Sequence, residues 1–393
     1  MRVIGKFLRI AACLLWLVAF AASAQTLTIE RVQGAARAQP GQLRSQPALQ
    51  RWSGTADELR LALPRDPGGY WLRLSVDHDL AANQRRVITL TGSRVYGGAI
   101  YFAPGARRGL RVGDDAQEDA RLLRRGWALK LPQGWPRAEP AYLYLQPRMS
   151  MTLTAQVLGA TDLQRQLDGD RRFALVAYAM MLLMTLTAAA FWLASRDSVY
   201  LYYAAYLVSI SLYLLQMTGW LLLPAERWGQ VQLRDVGAWV AATLSTIFQL
   251  CFTVRFLQLP RLAPRAATAL RALVWANAVW LAVLLLATRQ VYQYWYVGGN
   301  GLLLLTIPVV IYAAIAAWRR GAEYAGYYLL GWTPLMVFAG LLAAKTLGVG
   351  SASWAERGLV LAVVLESGVL MLALTQRAAE RHRQTQWAQP SSS

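Results

Sequence analysis

The chain has 393 residues, of which 56% are hydrophobic, and it contains 16 Trp and 18 Tyr. This composition is too apolar for a soluble protein of this size and favours a polytopic membrane protein that carries one soluble domain. The formal net charge of +19 comes almost entirely from arginines that are spread along the chain. Because they form no basic stripe and no long cationic tail, the charge argues against nucleic-acid binding.

Residues 1–24 have the pattern of a secretory signal peptide. Arg2, Lys6 and Arg9 give a positive start, a short apolar stretch follows, and Ala22-Ser23-Ala24 is a small-residue cleavage site. An uncleaved anchor helix is the alternative. We expect cleavage, which places the mature N-terminus outside the cytoplasmic membrane.

Residues 25–165 have the texture of an all-β domain. Short runs of strand-forming residues are separated by Gly, Pro and Asp turns, and several runs alternate apolar and polar residues, as in Trp71-Leu72-Arg73-Leu74. About seven or eight strands in this length predict a periplasmic β-sandwich sensor domain, most economically a jelly roll. Cys251 is the one cysteine outside the signal peptide, so the hydrophobic core must hold this domain without an internal disulfide.

Residues 171–376 contain seven apolar runs of membrane-spanning length. A helix crosses a hydrocarbon core of about 30 Å in roughly 20 residues. In lipid every backbone amide needs an internal partner, so these runs must be helices. The runs are 173–194, 200–223, 236–257, 270–287, 295–318, 326–347 and 359–375. The tyrosine-rich segments 200–206 and 292–296 are interpreted as interfacial aromatic belts.

The arginines also predict the orientation of the chain. With the N-terminal domain outside, seven crossings place the short tail, residues 377–393, in the cytoplasm. The segments assigned to the inside contain ten arginines and those assigned to the outside contain four, which agrees with the positive-inside rule. We therefore expect a multi-pass protein of the bacterial inner membrane, embedded in the lipid bilayer with a periplasmic N-terminus and a cytoplasmic C-terminus.

Four membrane motifs occur in one order and topology. They are Arg196-Asp197-Ser198-Val199-Tyr200-Leu201-Tyr202-Tyr203, Arg255-Phe256-Leu257-Gln258-Leu259, Tyr327-Tyr328-Leu329-Leu330-Gly331-Trp332, and Glu366 followed by Leu370, Leu372-Ala373-Leu374 and Arg377. In these motifs the chain resembles the bacterial seven-transmembrane receptors with diverse intracellular signalling modules. Residues 69–74 and 112–115 resemble the jelly-roll extracellular domain of that family, which is related in fold to carbohydrate-binding modules.

The resemblance implies reception of a signal. Members of the family usually continue into a cyclase, a histidine kinase or a similar output module, whereas this sequence does not, so we expect a separate cytoplasmic effector of the cyclase or kinase type. Its docking surface is predicted on the inner arginines, namely Arg261, Arg265, Arg319, Arg320, Arg377, Arg381 and Arg383.

Glu366 is the sharpest candidate for a transmembrane switch. It lies near the middle of the last apolar run, where an ionised carboxylate costs at least a few kcal/mol unless it is paired or protonated. We expect it to face the interior of the bundle, with Lys345 and Arg255 as candidate partners. A switch between two helix packings and a static interhelical hydrogen bond both fit the sequence.

A periplasmic small molecule or glycan is the expected ligand of the outer domain. A carbohydrate-like ligand would need an aromatic platform with polar groups beside it. The available residues are Asp77, Arg94, Tyr96, Tyr101, Arg108, Trp127 and Trp135, whereas Trp71 is interpreted as a core residue.

The sequence contains no recognisable catalytic set. There is no Gly-rich phosphate loop, no Ser/His/Asp set and no paired cysteines, and His78 and His382 are too far apart in sequence for a metal-ligand motif. We expect no enzymatic activity, no metal and no cofactor. A permease, or an accessory or scaffold subunit of an envelope polysaccharide export complex, is the alternative function, and a homodimer is left open.

Overall fold

A computed structural model of the chain describes residues 26–35, 38–56, 58–64, 66, 68–80, 86–92, 99–112, 120–123, 126–131, 135–147, 151–221, 231–291, 294–346 and 355–388. The chain divides into two compact units, Met1–Gly169 and Asp170–Ser393. Each unit is described by itself. The predicted signal peptide lies outside the described residues.

The described part of the first unit consists almost entirely of β-strands. The elements are β1 (Thr26–Val32), α1 (Pro40–Arg44), β2 (Ala48–Thr55), β3 (Leu59–Leu63), β4 (Tyr70–Val76), β5 (Arg86–Gly92), β6 (Ile100–Phe102), β7 (Leu110–Arg111), β8 (Ala120–Leu123), β9 (Gly126–Lys130), β10 (Ala141–Leu145) and β11 (Met151–Gly159). They form two sheets with the strand orders β2-β1-β4-β10-β6-β7 and β3-β11-β5-β9-β8. The paired strands run antiparallel.

The two sheets enclose one hydrophobic core. Strand β3 buries Leu59, Leu61 and Leu63 and exposes the residues between them, as the two-residue period of a strand requires. Leu72 of β4, from the other sheet, belongs to the same buried cluster. The predicted all-β sandwich is therefore confirmed, and its assignment as a jelly roll stays a prediction.

The buried carboxylate of Glu30 forms an ion-pair cluster on the β1-β2-β4 side of the first sheet. Glu30 accepts hydrogen bonds from Arg51 Nε and Arg73 Nε, both at 2.7 Å, because β1 places Glu30 opposite both residues in the ladder. Burial alone would raise the pKa of Glu30, but the hydrogen bonds and charges of Arg73 and Arg51 outweigh burial, and the pKa is lowered from 4.5. The ionised cluster thus stabilises the pairing of three strands.

We expect Glu30→Ala to lower the free energy of unfolding of purified residues 25–168 by about 2–3 kcal/mol, because Arg73, which is only 18% exposed, loses its carboxylate partner. Since the folded pKa lies below 4.5, this stabilisation is complete above pH 4.5 and is lost as the pH falls through the folded pKa. Urea titrations between pH 3 and 7 measure both effects. Glu58→Ala is the control, since Glu58 pairs with Arg60 in solvent. Equal losses for the two variants would contradict the prediction.

The second unit is a helical membrane domain. Among the described residues, seven helices are long and apolar enough to span a membrane. They are α2 (Ala160–Ser195), α3 (Ser198–Met217), α4 (Val231–Phe256), α6 (Pro264–Leu286), α8 (Trp295–Trp318), α9 (Ala325–Thr346) and α10 (Ala355–Ala388), with the short helices α5 (Leu259–Leu262) and α7 (Thr288–Val291) between them. The predicted spans are confirmed, and the chain is a multi-pass membrane protein.

Six of these seven described helices form a closed ring. Around the ring, α3 contacts α4, α4 contacts α6, α6 contacts α8, α8 contacts α9, α9 contacts α10, and α10 contacts α3. Helix α2 meets the ring through Phe191, whose side chain stacks on Tyr200. Its Leu182 and Leu183 are exposed, as expected for a helix that faces lipid.

The ring has two distinct ends, which we name after their aspartates. At the Asp170 end, Asp170 pairs with Arg357 near the start of α10. At the Asp197 end, Asp197 caps α3 by accepting a hydrogen bond from the backbone N–H of Val199 at 3.0 Å. Consecutive spanning helices alternate in direction, so α3, α6 and α9 end at the Asp170 end.

Candidate functional site

Glu366 lies at the centre of a buried polar network. Its side chain is fully buried, and its Oε2 accepts a hydrogen bond of 2.8 Å from the Tyr206 hydroxyl. Its Oε1 accepts no hydrogen bond from the described residues. The indole of Trp332 lies beside the same carboxyl group. A carboxyl group of α10 is therefore held by side chains of α3 and α9.

Three tyrosines of α3 join this helix to α10. Tyr200 donates to the carbonyl oxygen of Leu374 at 3.2 Å, and Tyr203 donates to that of Ser367 at 3.0 Å. Tyr206, the third tyrosine, donates to the carboxyl group of Glu366. Residues three apart share one face of a helix, so all three hydroxyl groups point to α10. Hydrogen bonds between side chains and backbone thus close the ring at this seam.

Helices α4 and α9 join the network through a fourth tyrosine, Tyr328. The hydroxyl groups of Thr253 and Tyr328 lie 2.7 Å apart and share a hydrogen bond. The Tyr328 ring stacks on Trp332 with the centroids 5.4 Å apart, and Phe252 packs on Tyr203 at 5.1 Å. Four helices, α3, α4, α9 and α10, therefore meet within one connected set of aromatic and polar contacts.

Close backbone packing supports the same region. A Cβ atom placed on Gly331 of α9 would lie 3.4 Å from the carbonyl oxygen of Glu366. Helices α9 and α10 are therefore in contact at the level of the buried carboxyl group, and Trp332, the residue after Gly331, lies beside that group.

A cluster of basic and aromatic groups lies at the Asp197 end. Arg377 is buried, lies 4.0 Å from the Asp197 carboxylate, and sits over the Phe256 ring at 6.0 Å. Arg255 donates to the Ser198 hydroxyl at 2.8 Å. These contacts tie the C-terminal ends of the α4 and α10 spans to the start of α3.

A cavity of about 200 Å³ lies in the half of the bundle nearer the Asp170 end. Residues of all six ring helices line it, and Tyr206 and Trp332 separate it from Glu366. Leu359 lines it from α10, and Glu366 lies seven residues further along that helix, which corresponds to about 10 Å. The cavity and the buried carboxyl group therefore share two side chains.

Comparison with protein families matches residues 171–377 to the family described as 7TM diverse intracellular signalling. The match covers more than half of the chain and includes the whole polar network and the cavity. The chain belongs to the 7TM diverse intracellular signalling family. A search of curated proteins found no match. The family resemblance predicted from the four sequence motifs is thus confirmed.

The family motifs supply most of the network in this 7TM signalling domain. The first contains Asp197, Ser198, Tyr200 and Tyr203, the second contains Arg255, the third contains Tyr328, Gly331 and Trp332, and the fourth contains Glu366, Leu374 and Arg377. Sequence reasoning missed Tyr206, and it wrongly assigned residues 200–206 to an interfacial belt, because Tyr200, Tyr203 and Tyr206 are buried in the bundle. Their spacing of three residues was the signal that they share one face.

The predicted switch residues Glu366 and Arg255 lie in different parts of the bundle. Glu366 faces the bundle interior, as predicted from its position in an apolar run. Arg255 is not its partner, because its guanidinium bonds to Ser198 and lies over the Tyr202 ring at the Asp197 end. The side chain of Lys345 lies outside the described residues.

The predicted aromatic platform of the first unit requires correction. Tyr101, Trp127 and Trp135 are at most 1% exposed, and all three belong to the core between the sheets. A ring enclosed in this way cannot stack on a sugar in this conformation. Trp71 is also buried, as expected, and its indole N–H donates to the Ala35 carbonyl at 3.0 Å.

The polar members of the predicted ligand set remain on the surface where they are described. Arg108 is exposed. Asp77 accepts a hydrogen bond from the backbone N–H of Thr26 at 3.0 Å and pairs with His78. Burial opposes ionisation of Asp77, but the hydrogen bonds from His78 and Thr26 outweigh it and lower its pKa to about 2. Arg94 and Tyr96 lie outside the described residues.

Four predicted docking arginines form an exposed set at the Asp197 end, namely Arg261, Arg265, Arg319 and Arg320. Arg320 donates to the carbonyl oxygen of Leu262. The docking prediction is wrong for Arg377, because this residue is buried between Asp197 and Phe256 and is not available as a surface contact. Arg381 and Arg383 lie in α10, but their side chains are outside the described set.

We expect Tyr206→Phe to lower the free energy of unfolding of the chain in mixed micelles by about 1 kcal/mol. This exceeds the ~0.6 kcal/mol average for interhelical hydrogen bonds, because a buried carboxyl group loses its donor. Glu366→Gln and the double variant complete a mutant cycle, whose coupling energy should be about 0.5–1 kcal/mol. Tyr312→Phe is the control, since Tyr312 is exposed. A coupling energy of zero would show that the contact contributes nothing.

Proposed function

We propose that this protein is a sensory receptor of the bacterial inner membrane, with its N-terminal β domain in the periplasm and its C-terminus in the cytoplasm. Membership of a signalling family with seven membrane helices supports the receptor role. The excess of arginine in the segments at the Asp197 end supports the orientation. The Asp197 end is then cytoplasmic and the Asp170 end is periplasmic.

The observation that carries this proposal is the network centred on Glu366. Polar groups that are buried in lipid must find partners within the protein. Here the carboxyl group of α10 contacts side chains of α3 and α9, and the Thr253–Tyr328 hydrogen bond adds α4 to the same network. If one of the four helices shifts, the polar groups must exchange hydrogen-bond partners. The helices would therefore have discrete packings that differ in these partners. Receptor signalling would consist of a shift between two of these packings. A ligand moves the equilibrium only by its difference in affinity for them.

The proposed ligand of the periplasmic domain is a small molecule or glycan, with a carbohydrate-like compound favoured by the resemblance of the domain to carbohydrate-binding modules. Its contacts would involve surface groups such as Asp77 and Arg108, since Tyr101, Trp127 and Trp135 are buried in the core. The chain itself would catalyse no reaction.

The proposed output partner is a separate cytoplasmic protein of the cyclase or kinase type. The exposed arginines at the Asp197 end would attract an acidic surface on that partner. These arginines lie at or next to the ends of α5, α6 and α8, so they would move when the ring helices move.

We expect green fluorescent protein fused after Ser393 to fluoresce and alkaline phosphatase fused at the same position to be inactive, because the C-terminus is cytoplasmic. Fusions after Thr346, at the Asp170 end of α9, should give the opposite pattern. Enzyme and fluorescence assays on intact cells measure both. Phosphatase activity after Ser393 would reverse the orientation and remove the receptor mechanism.

We expect the double variant Arg265→Gln and Arg319→Gln to reduce recovery of the effector roughly threefold to tenfold, because exposed ion pairs contribute about 0.2–1 kcal/mol each. Affinity capture from crosslinked membranes, with identification by mass spectrometry, measures the recovery. The matched control is Arg171→Gln with Arg172→Gln, a pair of exposed arginines near the Asp170 end. Recovery of a cyclase or kinase supports the receptor, whereas recovery of export components supports the alternative function.

A further inference from the structure

Two exposed arginines at the Asp197 end, Arg196 and Arg255, each have an aromatic ring beneath the guanidinium group. Arg196 lies over the Trp192 ring of α2, and Arg255 lies over the Tyr202 ring of α3, both at 5.6 Å. The two rings pack in turn against the buried apolar cluster of the bundle. Because a guanidinium group is attracted to the face of an aromatic ring, both cations are held in position before any partner binds.

Most of the N–H groups of these two arginines have no acceptor in the described part of the chain. Arg255 donates one hydrogen bond to the Ser198 hydroxyl at 2.8 Å, and Arg196 donates none. Neither arginine forms an ion pair with a carboxylate of a described residue. A guanidinium group that lies flat on a ring keeps its N–H edge available, and that edge matches two oxygens of a phosphate.

The fold brings both arginines to the turn between α2 and α3. Ser198 follows Arg196 by two residues, so their Cα atoms are at most about 7 Å apart, and the same Ser198 accepts the hydrogen bond from Arg255. The end of α2 is fixed on the start of α3 by the stacking of Phe191 on Tyr200. The two guanidinium groups therefore flank one turn of the chain.

Exposed apolar side chains beside this turn indicate the kind of phosphate. Leu193 of α2 is 56% exposed and Leu201 of α3 is 41% exposed, and both belong to membrane-spanning helices. The arginines thus lie where the hydrocarbon layer ends, which is the depth of the lipid phosphates. A phospholipid would present its phosphate to the arginines and its acyl chains to the leucines, whereas an acidic protein surface has no acyl chain to offer.

We propose that the turn between α2 and α3, together with the end of α4, binds one anionic phospholipid from the leaflet at the Asp197 end. Its phosphate is held by Arg196 and Arg255, and its acyl chains lie along Leu193 and Leu201. This site goes beyond the proposed function, since it uses other arginines than the effector surface and its binding is measured without any signal. The bound lipid would connect the end of α4 to the start of α3, the helix whose tyrosines bond to α10.

Native mass spectrometry of the full chain in a neutral detergent tests the proposal with two lipids that have the same acyl chains. Dioleoylphosphatidylglycerol carries a net negative charge, and dioleoylphosphatidylcholine does not. We expect the first phosphatidylglycerol to bind about tenfold more tightly, which corresponds to about 1.4 kcal/mol, because basic residues at the surface attract anionic lipids. Equal affinities for the two lipids would overturn the proposal.

Variants test the assignment to Arg196 and Arg255. In Arg196→Gln with Arg255→Gln, the preference for phosphatidylglycerol should fall to about twofold or less. The matched control is Arg171→Gln with Arg172→Gln, which removes the same charge from exposed arginines near the other end of α2 and should keep the preference. Equal losses in the two double variants would show a general attraction of charge and reject the site.

A single variant covers the case in which the double variant fails to fold by circular dichroism. Arg196 donates no hydrogen bond within the described residues, so Arg196→Gln should fold. It should reduce the preference for phosphatidylglycerol about threefold. An unchanged preference in this variant would reject Arg196 as a phosphate contact and with it the proposal.

Two further measurements distinguish a lipid from a soluble phosphate compound. Glycerol phosphate in excess should leave phosphatidylglycerol bound, because the acyl chains contribute apolar contacts that the free headgroup lacks. Release of the lipid would assign the arginines to a soluble ligand and overturn the proposal. Phosphatidylglycerol with a photoreactive acyl chain should label residues 193–201 more strongly than matched phosphatidylcholine does, and equal labelling of this segment would contradict the proposed location.

Discussion

The membrane domain depends on one constraint, which is that polar groups inside a hydrocarbon layer must be satisfied by other groups of the protein. Tyr206 donates to one oxygen of the Glu366 carboxyl group, and the hydroxyl groups of Tyr200 and Tyr203 donate to backbone carbonyls at the seam between α3 and α10. Lipid tails are as apolar as leucine, so apolar contacts alone give helices little preference for one another. The tyrosine hydrogen bonds supply the directional contacts that select α10 as the neighbour of α3 and close the ring.

The same side chains connect the two halves of the bundle. Toward the Asp197 end the interior is filled by Phe252 and Phe256, which stack on each other with the centroids 4.9 Å apart. Toward the Asp170 end it opens into the cavity. Tyr206 and Trp332 lie at the boundary and contact both regions. A change in either half must therefore act on these two residues, whereas the lipid-facing residues of α2 are free of that coupling.

The sequence predicts the membrane elements well because their signal is local. A run of about 20 apolar residues has few alternatives to a spanning helix, and Glu366 had to face inward since lipid excludes it. The identity of its partner is not local. Arg255 and Tyr206 were both available on helices before α10, and only the packing of the ring shows that Tyr206 reaches the carboxyl group. The surroundings of Arg377 are also not local in sequence. Its position after an apolar run predicts exposure to solvent, yet Phe256 and Asp197 enclose it.

Aromatic residues show the limit of sequence reasoning most clearly. The sequence around a tryptophan in a β domain does not show whether the ring fills a core or forms a ligand platform. Trp127 and Trp135 are core residues. Tyrosines near the end of a spanning helix fit an interfacial belt, yet Tyr200, Tyr203 and Tyr206 point inward because their hydroxyl groups find acceptors on α10. In both units the role of an aromatic ring depends on the hydrogen-bond acceptors and apolar surfaces that the fold places around it. For the same reason the family motifs, each an ordinary string of aromatic residues in the sequence, form one network in the bundle.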